Sequence, residues 1–243
     1  MTKKKSRWMK AAAISSILII TLSACSSRAG TEKSASSAGS QELSDDMPLS
    51  EPEAVHGEVL IAYFTVPETD GVDTIAGASR VVVDEEILGN TQYIAQLIHQ
   101  SVGGDLFEIS TKQEYPESHD PLLEFAFEEK EKNARPELAA HIDNFDEYDT
   151  IFIGYPNWNA DLPMPLYSFF EEYDFSGKTV IPFVTHGGSG FSRTVDTIAE
   201  LVPEATMIKD GLSISRNNVA DAQNDVTNWI QSLNLSGIKE ETK

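Results

Sequence analysis

Three short polar segments hold the residues best suited to chemistry in this chain. They are Gly89-Asn90-Thr91, Pro156-Asn157-Trp158-Asn159 and Thr185-His186-Gly187-Gly188-Ser189-Gly190, each after an apolar run. The first opens a helical pattern, where unpaired amides and the helix dipole favour a phosphate and a threonine hydroxyl adds a donor. Its plainer alternative is an ordinary helix start with Asn90 as N-cap. No Lys or Arg lies from Leu88 to Gln92, and the chain has no P-loop lysine, which argues against a nucleoside triphosphate. The indole of Trp158 either stacks on a planar ligand or covers the edge of the core. Gly187, Gly188 and Gly190 cost backbone entropy unless something must approach the chain closely. Amides of such a loop suit the edge of a ring bearing nitrogen and oxygen acceptors. His186 has no carboxylate at a fixed spacing and reads as a loop or packing histidine. With no nucleophile–base pair and no metal-ligand cluster, the pattern names no catalytic residue and no metal, and points to electron transfer over hydrolysis.

These segments need a scaffold that brings them together. Buried strands are expected at 58–65, 105–110, 150–155 and 178–185, with a weaker fifth at 206–212. Helices are expected at 91–102, 120–133, 166–173, 193–201 and 219–233. Pro182 within the fourth strand removes a ladder donor. The alternation implies a doubly wound α/β fold, a parallel sheet with helices on both faces. Right-handed crossovers leave few topologies, of which five strands favour the order 2-1-3-4-5. Ligands of such sheets bind outside the carboxyl ends of the strands, at the switch point between strands one and three, which the three segments would border.

From about Val59 to Leu233 the chain resembles the flavodoxin-like proteins. The likeness rests on Tyr63-Phe64-Thr65, Gly89-Asn90-Thr91, Gly154-Tyr155-Pro156-Asn157-Trp158, Phe175-Ser176-Gly177-Lys178 and Thr185-His186-Gly187-Gly188-Ser189-Gly190. The resemblance implies FMN, with its phosphate on Thr65, Asn90 and Thr91. Its ring would lie between Pro156–Asn159 and Thr185–Gly190. The chain departs from the pattern twice. Residues 66–88 intervene before the phosphate segment, and so long a connection without structure of its own is usually functional or disordered. Asn159 stands where flavodoxin-like proteins with a Tyr-Phe-Ser/Thr first strand and a Thr-His-Gly-Gly loop often carry a second tryptophan. Within the insertion, Asp73-Thr74-Ile75-Ala76-Gly77-Ala78-Ser79 resembles the site at which exported flavoproteins carry FMN as a phosphoester, which would put a covalent flavin on Ser79.

The first residues belong to export. Lys3, Lys4, Lys5, Arg7 and Lys10 precede an apolar run from Ala11 to Leu22, then Leu22-Ser23-Ala24-Cys25, the layout of a signal peptide. That tetrapeptide resembles a bacterial lipobox, so residues 1–24 are expected to be removed and Cys25, the only cysteine, to carry lipid. Residues 25–57 read as a disordered tether with a reach of roughly 30 Å, 58–235 as the folded domain and 236–243 as a disordered tail. Loss of five of the 18 basic residues and none of the 39 acidic ones takes the formal charge from −21 to 13 − 39 = −26. Such a chain repels nucleic acid and anionic lipid, so its membrane contact should come from the lipid anchor. The expected function is an FMN-binding lipoprotein carrying electrons outside the cytoplasm to a redox protein or quinone. An FMN-dependent NAD(P)H or quinone oxidoreductase and a flavin-free binding lipoprotein are the alternatives.

Overall fold

A computed structural model of the chain describes residues 58–68, 79–233 and 235. The expected signal, lipid site, tether, tail and residues 73–78 of the proposed attachment motif lie outside the described residues. Strand β1 (Glu58–Tyr63) is buried beyond its first residue because both its faces are covered. Leu60, Ala62 and Phe64 enter one apolar layer, while Val59, Ile61 and Tyr63 enter the other. The same two-residue alternation sends Ile151 and Ile153 to one side of the sheet and Phe152 to the other. This explains why the strands read as unbroken apolar runs.

The main sheet is parallel, with β4 (Asp105–Glu108) and β5 (Tyr148–Pro156) flanking β1, and β6 (Thr179–His186) beyond β5. Helices α1 (Asn90–Val102) and α5 (Gln223–Ser232) bury Ile94, Ile98 and Val226 in one layer. Helices α3 (Met164–Glu172) and α4 (Thr194–Leu201) bury Leu166, Phe169 and Ile198 in the other. Helix α2 (His119–Glu131) meets α3. The expected order 2-1-3-4-5 is therefore the order β4-β1-β5-β6 followed by the outermost position. Among the described residues no helix is long and apolar enough to cross a membrane.

That outermost position differs from the expectation. Instead of one strand at 206–212 it holds two pieces, β7 (Thr206–Met207) and β8 (Leu212–Ser215), both paired to β6. Pro182 is the reason. The carbonyls of Lys178 and Val180 accept from Thr206 and Ile208 at 2.8 and 2.9 Å, so alternate residues of β6 face outward and Pro182 is the next of them. It has no N–H to offer there. The outer chain bends away and returns through Gly211, where a Cβ would stand 2.4 Å from the Pro182 carbonyl oxygen.

The insertion has structure that the sequence pattern did not reveal. Residues 80–89 form an antiparallel hairpin, β2 (Arg80–Val83) and β3 (Glu86–Gly89). Asp84 and Glu85 close it with φ of 51° and 69°, as a two-residue turn with both centres left-handed requires. Asn-Gly or Asp-Gly is the usual signal for that turn, and Asp-Glu is not.

Candidate functional site

The hairpin delivers the chain to the start of α1. Gly89 is the N-cap in extended conformation, φ −66° and ψ 141°, and Asn90 is the first helical residue. The plainer reading of Asn90 as the cap is thereby corrected. The Gly89 amide donates to the Gln92 side-chain oxygen at 3.0 Å, and the Asn90 amide to the Ser79 carbonyl at 2.9 Å. Two of the helix's leading donors are thus already engaged. The Asn90 side chain is not: the residue is fully buried, and neither Oδ1 nor Nδ2 finds a hydrogen-bond partner. Ser79 Oγ, in a residue only 6% exposed, also lacks one. Thr65 stands against the same turn, since a Cβ on Gly89 would fall 2.0 Å from its Oγ1. Native interiors seldom leave buried polar groups unpaired, and three such atoms on adjoining residues of one helix start form a cradle for a polar ligand.

The other two segments are stitched to each other and to α1. Thr91 Oγ1 and Thr185 Oγ1 lie 2.8 Å apart, both buried, which commits one hydroxyl proton to their bond. The Asn157 amide donates to the Thr185 carbonyl at 2.9 Å. Its side chain donates to the Gly190 carbonyl at 2.7 Å and to Ser192 Oγ at 3.1 Å, leaving Oδ1 buried and unpartnered. Pro156 is the last residue of β5 and stands in register with Thr185. His186 Nδ1 accepts from the Gly188 amide at 2.9 Å, and burial lowers its pKa. It is therefore a neutral imidazole protonated at Nε2, fixing the loop. Gly187, Gly188 and Ser189 are exposed, and Gly188 and Gly190 have φ of 137° and 57°.

Trp158 turns partly inward, edge-on to Phe64 at 5.4 Å and tilted to Tyr115 at 5.8 Å. Of its two possible roles, this contact supplies the cover of the core edge. Asn159, exposed, and Ala160 have φ of 53° and 59° between reciprocal backbone bonds of Trp158 and Asp161. A tight left-handed turn of this kind favours asparagine at its first centre. Lys130 of α2 holds the turn, donating to the Asn159 carbonyl at 2.8 Å and pairing with Asp161 at 3.2 Å. Thus Thr65, Asn90, Thr91, Asn157, Thr185 and Gly190 converge, while Asn159 and residues 187–189 form the rim. Sequence patterns missed Lys130, whose distance in the chain left no signal. Gln92 left one, three residues after the cap.

A crevice of about 550 Å³ adjoins Thr65 on the β4 side, between Phe64–Pro67 and Glu108–Glu117. Among the described residues its lining contains Glu108, Glu114 and Glu117 and no basic residue. Burial raises the Glu108 pKa against an opposing hydrogen bond from Tyr63, whose own pKa burial and Glu108 push up to about 12. No group of three or more metal-ligating side chains occurs among the described residues.

A parallel sheet in this order, with a cradle at the first helix, defines a flavodoxin-like protein. Residues 81–233 match the model of the flavodoxin family, and the chain belongs to that family. Among solved structures it is similar to a candidate flavoprotein from Bacteroides uniformis ATCC 8492, at 26% identity over 72% of this chain and 98% of that one, with a TM-score of 0.53. It is also similar to a flavoprotein in complex with FMN from Lactobacillus acidophilus NCFM, at 17% identity over 69% of this chain and 99% of that one, with a TM-score of 0.49. No curated protein matches the chain.

Proposed function

We propose that this domain binds FMN and carries electrons outside the cytoplasm, held near a membrane by lipid on Cys25. The observation that carries the flavin is the Asn90 carboxamide, fully buried at the start of α1 with both polar atoms unpartnered. A phosphate there would accept from Asn90 Nδ2, the Thr65 hydroxyl and the remaining amides of the helix's first turn, and its charge suits the dipole. Pro156–Asn159 and Thr185–Gly190 would hold the ring, with backbone groups of the glycine loop along its polar edge. Bound FMN supplies one- and two-electron redox chemistry, and the protein's part is to orient it and tune its surroundings. Asn157 and Lys130 keep the ring loops in place, so little ordering cost would remain to be met on binding.

The acidic crevice supports electron transfer over reduction by NAD(P)H. Among the described residues, a dinucleotide carrying several negative charges would face three carboxylates and no cation there. Export and anchoring rest on the residue pattern from Lys3 to Cys25. The test of the flavin reading is an absorption spectrum of the purified chain after incubation with FMN and desalting. Flavin retained near one per chain is expected, and a folded chain that retains none would leave a flavin-free binding protein as the better reading. Globomycin, an inhibitor of lipoprotein signal cleavage, should block maturation of the chain in its host. Unchanged processing would refute the anchor.

A further inference from the structure

The insertion between β1 and α1 suggests a lid, yet its hairpin leads into the helix start. Ser79 immediately precedes β2, and the pairing of Arg80 with Gly89 fixes it beside the first turn of α1. Its carbonyl takes the Asn90 amide at 2.9 Å, while its hydroxyl is buried and unpartnered. The one cation of the hairpin, Arg80, is directed at the Glu68 carbonyl at 3.4 Å. Around the helix start stand two hydroxyls, from Ser79 and Thr65, and one carboxamide, from Asn90. Two unlike ligand classes fit this poorly. A cation would meet the positive end of the helix dipole, and an apolar group would leave the buried donors unsatisfied. An oxyanion accepts from every donor here, the two hydroxyls and Asn90 Nδ2.

We propose that the Ser79 hydroxyl donates a hydrogen bond to the phosphate of FMN, so that the hairpin insertion builds one wall of the phosphate site. This rests on the flavin reading above and adds to it a residue contributed by the insertion. The phosphate keeps its ester bond to the flavin side chain only, and Ser79 keeps its proton.

The experiment compares FMN with riboflavin, which has the same ring and no phosphate. Both are titrated by fluorescence quenching into the purified wild-type chain, S79A and the hairpin control V82T. Val82 is 59% exposed, so V82T should change neither affinity. S79A is expected to weaken FMN about 10- to 100-fold, the range of a lost hydrogen bond to a charged group, and riboflavin less than twofold. Without ligand, S79A should melt no lower than wild type, because the change removes an unsatisfied buried hydroxyl. Equal losses for FMN and riboflavin, or a lower melting point, would assign Ser79 a structural role and overturn the proposal. Unchanged FMN affinity in S79A would overturn it while the flavin reading stands. A wild-type chain that binds neither flavin would overturn both. A flavin adduct on Ser79 in the intact mass would also overturn it, since an ester oxygen has no proton to donate.

Discussion

Replacing Gly89 by alanine tests the cradle with one methyl group. Gly89 has φ −66°, which alanine adopts freely, so no backbone strain accompanies the change. The effect must come from space. The new Cβ would fall 2.0 Å from Thr65 Oγ1 and 2.9 Å from both Thr65 Cβ and Cγ2, against ordinary contacts of 3.4 Å or more. Turning the threonine about χ1 cannot clear all three, because the Cβ itself is too close. Overpacking of this kind costs about 1–3 kcal/mol. Expressed in binding, that range is about 5- to 150-fold in FMN affinity if the threonine is driven off its ligand position. The assay is a double-mutant cycle with T65A, read by urea denaturation and by flavin titration. T65A removes two of the three clashing atoms, so G89A should cost at least about 1 kcal/mol less in its presence. A stability and an FMN affinity in G89A equal to those of wild type would show that Thr65 does not sit against the helix start, and the account of the cradle would fail.

Other perturbations separate the parts of the site. N90A should raise the stability of the ligand-free chain by removing unpaired polar atoms and should weaken FMN at least tenfold; thermal melts and titrations of one preparation read both. K130M frees the Asn159 carbonyl and Asp161, and is expected to loosen the turn and weaken riboflavin as much as FMN, since the phosphate end is untouched. A selective loss of FMN would contradict this. His186, with its folded pKa lowered by burial, contributes stability that is present above its unfolded pKa of about 6.5 and lost as the pH falls through the lowered value. The wild-type urea midpoint should therefore fall more than that of H186N between pH 7.5 and 5, and parallel curves would refute a neutral buried imidazole. The formal charge of −21 disfavours an added electron, so the bound flavin should have a lower reduction potential than free FMN, rising with salt. A spectroelectrochemical titration at two ionic strengths measures it.

The central strands were legible because burial on both faces leaves nothing but apolar side chains, as in Val59 to Phe64. Chain alternation and crossover handedness narrowed the strand order to a few topologies, and five strands favoured the one found. The outer strand was not, although Pro182 carried the clue, because a proline removes a donor on one side only and a sequence does not tell which side faces the edge. The hairpin escaped notice for want of a glycine at its turn, and the valines at 81–83 with Ile87 and Leu88 are too few to separate from a loop. Within the site, the clustering of Asn90 with Thr91 and of Asn157 with the glycine loop could be foreseen from their places at strand and helix ends. What the side chains do there could not. Trp158 had two even prospects until its neighbours Phe64 and Tyr115, distant in the chain, were in place.

The interrupted ladder beside Pro182 also bears on life in a crowd. A strand edge with a long row of open amides and carbonyls recruits strands from other molecules. Here one border of the main sheet is split into runs of two and four residues. The other, β4, is four residues long and begins and ends with Asp105 and Glu108. Neither offers a foreign strand a continuous, uncharged template, so the proline that costs the sheet one bond helps each copy resist aggregation with the next.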